Sequence, residues 1–119
     1  MILVDTSVWV FHLRRGDSRL RKLLVEGRVL CHPVVIGELA CGDLDNRSEI
    51  LGLLQALPTT SCVDEEEILS FIEQRQLMGT GLGLVDVHLL ASALLARALL
   101  WSADRRLQSA AGRLKVLYR

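Results

Sequence analysis

Short β-rich apolar runs alternate with helix-like stretches from one end of the chain to the other, with no low-complexity linker or internal repeat between them. That alternation favours a parallel sheet enclosed between layers of helices, because parallel strands need long crossover connections and bury both faces. Ile2-Leu3-Val4 reads as a buried central strand, after which Thr6 or Ser7 is placed to cap a helix through Val8 to Leu13. A second helix covers Ser18 to Glu26, Val29 to Cys31 forms the next strand, and Pro33 opens a helix that runs to Cys41 before Gly42. Asn46-Arg47-Ser48-Glu49 has the form of a capping box for a helix that Pro58 closes. Further strands are expected at Thr59 to Val63, Leu99 to Ser102 and Lys115 to Tyr118, and an Ala/Leu-rich helix at Val87 to Ala98. The fold expected is an α/β three-layer sandwich with a central parallel sheet of four to five strands. Residues 1–119, half of them hydrophobic, suffice for a single domain with one core and are too few for two.

Four acids stand out because each lies just after or just inside an apolar run. Asp5 ends Ile2-Leu3-Val4, Glu38 follows Val34-Val35-Ile36 on a helix, Asp86 follows Leu84-Val85, and Asp104 closely follows Leu99-Leu100-Trp101. In doubly wound sheets ligands bind outside the carboxyl ends of the strands, so acids arriving there from remote segments can converge on one site. Clustered carboxylates repel one another unless a cation holds them, and hard oxygen-seeking ions such as Mg²⁺ or Mn²⁺ suit them best. Each acid also has an independent reading: Asp5, Asp86 and Asp104 as helix caps or turn residues, Glu38 as a solvated helix residue. The run Asp64-Glu65-Glu66-Glu67 is a different matter, since it opens a helix where negative charge complements the dipole and needs no ligand. Gly79, Gly81 and Gly83 give a loop that other groups can approach closely, without the spacing of a dinucleotide-binding turn.

Charge and cysteines exclude several classes. Fourteen basic residues balance fourteen acidic ones, so a nucleic-acid partner cannot be argued from net charge, only from where the charges lie. Cysteines at 31, 41 and 62 have no metal-type spacing and an odd count, which argues against a disulfide framework. The apolar start is cut by Asp5 and has no basic leader, and no stretch is long enough for a membrane span, so a cytoplasmic protein with no membrane association is expected.

Leu3-Val4-Asp5-Thr6-Ser7-Val8-Trp9, Gly37-Glu38-Leu39-Ala40, Gly83-Leu84-Val85-Asp86-Val87-His88-Leu89-Leu90-Ala91 and Trp101-Ser102-Ala103-Asp104 together resemble, in order, the motifs of PIN-domain ribonucleases. The resemblance covers nearly the whole chain and is greatest to the VapC toxins of toxin–antitoxin modules. It implies a PIN-like fold and a metal-dependent endoribonuclease in which Asp5, Glu38, Asp86 and Asp104 hold one or two Mg²⁺ or Mn²⁺ ions. It further implies a homodimer and a cognate VapB-like antitoxin that inhibits cleavage and reads operator DNA, a task for which this chain has no motif. Thr6, Ser7 and Ser102 would orient carboxylates or contact phosphate. The family often has Thr where Ser102 stands, and the hydroxyl is retained.

For RNA, Arg105 and Arg106 beside Asp104 are the leading phosphate ligands, followed by Arg14 and Arg15 near the first helix; the alternative is that these are solvated or ion-paired side chains. A mean hydropathy of +0.33 points to surface covered by association. Two other readings compete: a non-catalytic PIN-like interaction module, and a small α/β phosphotransfer domain. The second is weakened because Asp5 has no Asp two residues on and Lys115 lacks the surrounding motif.

Overall fold

In the computed structural model, which describes residues 1–119, three strands form one parallel sheet in the order β2-β1-β3: β1 (Ile2–Val4), β2 (Val29–Leu30) and β3 (Leu99–Trp101). Seven helices connect and cover them: α1 (Thr6–Arg15), α2 (Ser18–Val25), α3 (Pro33–Cys41), α4 (Arg47–Ala56), α5 (Glu65–Arg75), α6 (Leu84–Ala96) and α7 (Arg105–Arg113). Ile2, Leu3 and Val4 are all buried, so β1 is covered on both faces as a central parallel strand requires. Around it, α2 packs against β2 and α6 against β3. The core is aliphatic, built from Leu20, Val29, Leu89, Leu90, Leu100 and Leu107 among others.

The sheet is shorter than the four to five strands expected. Thr59 meets Cys31 in a single parallel bridge, and Leu117 meets Leu100 in another, one at each edge of the three-stranded sheet. Pro58 contributes a carbonyl to the Cys31 N–H but has no N–H to extend a ladder, and after Thr60 the chain turns away to start α5. At the other edge Lys115 has φ of 63°, a turn conformation that leaves only the Val116 and Tyr118 contacts with Leu100. The parallel direction and the positions of both outer segments match the expectation; their ladders do not form.

Helix starts also differ in detail. Of the candidates for the start of α1, Asp5 is the cap and Thr6 and Ser7 are not, and the capping box at Asn46 is absent because Asn46 is left-handed (φ 52°) with no side-chain capping bond. At α3 the cap is His32, directly before Pro33. Its Nδ1 accepts from the Val34 N–H (3.0 Å), leaving Nε2–H to donate to Ser92 Oγ (3.1 Å), which in turn donates to the Ser61 carbonyl. This chain of bonds joins α3, the helix of Glu38, to α6, the helix of Asp86.

His32 is buried, and its pKa is lowered from 6.5 by that burial, helped by the neighbouring His88. The neutral ring is therefore the form the fold needs. Its contribution to stability is present above pH 6.5 and lost as pH falls through the lower folded-state value. Thermal unfolding followed by circular dichroism should show the midpoint dropping from about pH 7 to about pH 5, and His32→Asn, which keeps a capping acceptor, should flatten that slope. An identical pH dependence in the variant would contradict this role.

Candidate active site

The strand order places a switch point between β1 and β3: from β1 the chain crosses to β2 on one side, then returns across β1 to β3 on the other. The carboxyl ends of β1 and β3 thus open onto the crevice where doubly wound folds bind ligands. Asp5 follows β1 directly, and the turn Ser102-Ala103-Asp104 follows β3. Ser102 Oγ donates to Asp5 Oδ2 at 2.7 Å and accepts from the Asp104 N–H at 3.0 Å. Ser7 Oγ also donates to Asp5 Oδ2 (2.8 Å) and accepts from the Ala103 N–H (3.0 Å). One carboxylate and two hydroxyls thus tie the two strand ends together, and Gln108 Nε2 holds the same turn through the Ser102 carbonyl (2.7 Å).

The other two acids come from helices. Thr6 Oγ1 donates to Glu38 Oε1, linking the first residue of α1 to α3. Asp86, in the first turn of α6, accepts from the Gly83 N–H through Oδ2 (3.1 Å). Burial is graded: Asp5 is 6% exposed, Asp86 is half-buried, and Glu38 and Asp104 are exposed. The pKa of Asp86 is raised, first by burial and then by the charges of Asp5, Asp104 and Glu38, against a lowering by the Gly83 N–H.

Capping, the independent reading for three of these acids, is also present. Asp5 Oδ1 accepts from the Thr6 N–H (2.7 Å), and Asp104 Oδ1 accepts from the Arg106 and Leu107 N–H groups (2.9 and 3.1 Å). Capping engages only part of each group. Asp86 Oδ1, Asp104 Oδ2 and Glu38 Oε2 receive no hydrogen bond from the protein, while both oxygens of Asp5 are engaged. Carboxylate oxygens of this kind are the donors that a hard divalent cation prefers, so the set fits such an ion in chemistry. As the side chains stand, no group of three or more His, Cys, Asp or Glu is placed to hold a metal ion directly.

The arginines near these acids and in the first helices separate into four situations. Arg14 lines a cavity of about 500 Å³ whose wall includes Glu38, while Arg15 is exposed at the end of α1 and is not part of that cavity. Arg105 and Arg106 line a second cavity beside Asp104. Arg19 stacks on the rings of Trp101 and Tyr118, 4.8 and 5.1 Å from their centroids, and Trp9 is buried in the core. Sequence reading missed His32 and Gln108; the signals were a polar residue before a Pro at a helix start, and a Gln four residues beyond the cap Asp104.

The PIN domain family profile matches residues 2–113. The chain is 49% identical over 111 residues to proteins named Ribonuclease VapC32 from two strains of Mycobacterium tuberculosis, CDC 1551 / Oshkosh and ATCC 25618 / H37Rv, covering 92% of this chain and 90% of each relative. Among solved structures it is similar to PAE2754 from Pyrobaculum aerophilum, with a TM-score of 0.66, 17% identity, and coverage of 92% of this chain and 83% of that one. It is also similar to a chain in the structure of FitAB bound to an IR36 DNA fragment, with a TM-score of 0.62, 18% identity, and coverage of 94% and 91%. At those identities the two structures bear on the fold alone.

Ser102→Ala removes one donor from a buried carboxylate and the acceptor of the Asp104 N–H. Urea unfolding should show a loss of about 1–3 kcal/mol, more than for Ser→Ala at exposed Ser109, where no hydrogen bond is made by the side chain. Equal effects of the two substitutions would mean that the Ser102 bonds carry no weight.

Proposed function

The chain belongs to the PIN-domain family, on its VapC ribonuclease branch, and from that premise we propose that it is a metal-dependent endoribonuclease, the toxin of a toxin–antitoxin pair. The observation that supports the reading is the Ser7 and Ser102 tie that brings Asp5 and the Asp104 turn together at the β1/β3 switch point, in a chain nearly half identical to named ribonucleases. Asp5, Asp86 and Asp104 would hold one or two Mg²⁺ or Mn²⁺ ions, with Glu38 completing the set directly or through water. When bound, such an ion acidifies water and offsets the negative charge that develops on phosphate oxygens during hydrolysis.

The side chains of this protein have separate tasks in that chemistry. Asp5 is the fixed point, since Ser7, Ser102 and the Thr6 N–H hold its carboxylate in one orientation. Asp86 is the sensitive member: burial and three like charges disfavour its ionised form, so added positive charge nearby favours deprotonation. Glu38, exposed at the rim with Oε2 free, would orient the attacking water. Arg105 and Arg106, and Arg14 on the side of Glu38, would offset the repulsion between RNA phosphates and the acids.

Partners belong to the same proposal. Large apolar side chains stand exposed on several helices, among them Phe11 on α1, Leu69 on α5, and Leu84 and Leu95 on α6. Such surface suits a chain that works as a homodimer and is inhibited by a VapB-like antitoxin, both in the cytoplasm. No helix is long and apolar enough to cross a membrane.

Purified protein incubated with RNA should cleave it with Mg²⁺ or Mn²⁺ and stop on chelation. Asp5→Asn and Asp86→Asn should lower the cleavage rate on the order of 100-fold or more, as removal of a charge that holds the ion implies. Cleavage that persists in chelator, or in both variants, would overturn the proposal.

A further inference from the structure

A cavity of about 310 Å³ lies along the flank of α7, lined by Thr80, Arg105, Arg106, Ser109, Ala110 and Arg113. Its character is basic. Three Arg, one Thr and one Ser line it with a single apolar residue, and the one ion pair of the structure joins Arg28 and Glu26 elsewhere. Arg105, Arg106 and Arg113 therefore make no direct ion pair with a carboxylate. Like charges gathered without a counterion favour an anion, and the planar guanidinium fork is the side chain best matched to phosphate oxygens.

Two of the three are held in place by backbone. Arg113 Nη2 donates to the Arg75 carbonyl at 2.9 Å, and Arg106 lies along the Gly81 backbone with Nη1 near that carbonyl at 3.5 Å. Gly81 makes this approach possible: φ is 81°, and a Cβ there would stand 3.1 Å from Arg106 Cδ and 3.2 Å from Nε and Nη1. Each guanidinium spends one donor on this positioning and keeps the others free, which lowers the entropic cost of taking up a ligand.

Direction and length indicate the ligand. The N-cap of α7 is Asp104, so Arg105 and Arg106 start the cavity beside the candidate active site. From Arg105 to Arg113 the helix rises about 12 Å, more than one phosphate group occupies. We infer that Arg105, Arg106 and Arg113 form a track for the phosphate backbone of the RNA strand, leading away from Asp104 across α7 toward the end of α5. The inference rests on the ribonuclease reading and extends it to a residue, Arg113, and a surface outside the acidic site. The track contacts phosphates and not bases, so it contributes affinity without sequence preference.

The test is binding, read separately from cleavage. Fluorescence anisotropy with labelled single-stranded RNAs of two unrelated sequences, in chelator and over a range of NaCl, gives the slope of log K against log salt. Each phosphate contact on a single strand contributes about 0.7 to that slope. Arg105→Gln and Arg113→Gln should each make it shallower by about that amount, equally for both sequences, while Arg28→Gln keeps the wild-type slope. Circular dichroism on each variant establishes that it is folded. Unchanged slopes in Arg105→Gln and Arg113→Gln overturn the track, as does displacement of RNA by inorganic phosphate at matched ionic strength, which would identify a lone-anion site. If wild type cleaves RNA with Mn²⁺ and the slopes do not move, the track alone fails; if wild type neither cleaves nor binds, the reading beneath it fails as well.

Discussion

A single buried carboxylate organises the functional end of this fold. Asp5 is almost fully removed from solvent, a position that an ionised group tolerates only when its oxygens are well bonded. The Thr6 N–H and the Ser7 and Ser102 hydroxyls supply those bonds, and Ser102 belongs to a segment 97 residues further along the chain. The same bonds also fix the start of α1, the end of β3 and the turn leading to α7. Because the sheet is only three short strands, this side-chain tie does work that longer ladders do in larger α/β proteins.

From that fixed point the other acids are placed by helix geometry. Asp104 and Asp86 each give one oxygen to a helix start and leave the other free; Glu38 gives one to Thr6. Capping and ligand binding are therefore compatible uses of one side chain, since a carboxylate has two oxygens and roughly four lone-pair directions. The pKa of Asp86 is raised, first by its burial and then by its acidic neighbours, so its charged form is disfavoured at this position. The basic flank of α7 stands next to this negative centre, so the two fields are adjacent and opposite in sign.

Much of this was legible in the sequence, and for physical reasons. The positions of the first six helices followed from periodicity and from Pro33, Gly42 and Pro58, and the four acids were conspicuous because they end apolar runs, whereas the helix from Arg105 to Arg113 was not anticipated. The number of strands was not legible. Thr59 to Val63 and Lys115 to Tyr118 have strand composition, but whether such a segment forms a ladder depends on how the chain leaves it, at Thr60 in one case and at left-handed Lys115 in the other. The bond from His32 to α6 and the place of Arg113 in a cavity wall were hidden, because each depends on partners remote in sequence: Ser92 for the first, and Arg75 and Thr80 for the second.

Calorimetric titration of Mn²⁺ into the metal-free protein tests, without recourse to RNA, whether Asp5, Glu38, Asp86 and Asp104 share a divalent ion. Saturable binding of one or two ions is expected, weakened about tenfold or more in Asp86→Asn and Asp104→Asn, in line with the loss of a charged ligand. Heats no larger than dilution for the wild type, or equal affinity in both variants, would contradict a shared ion.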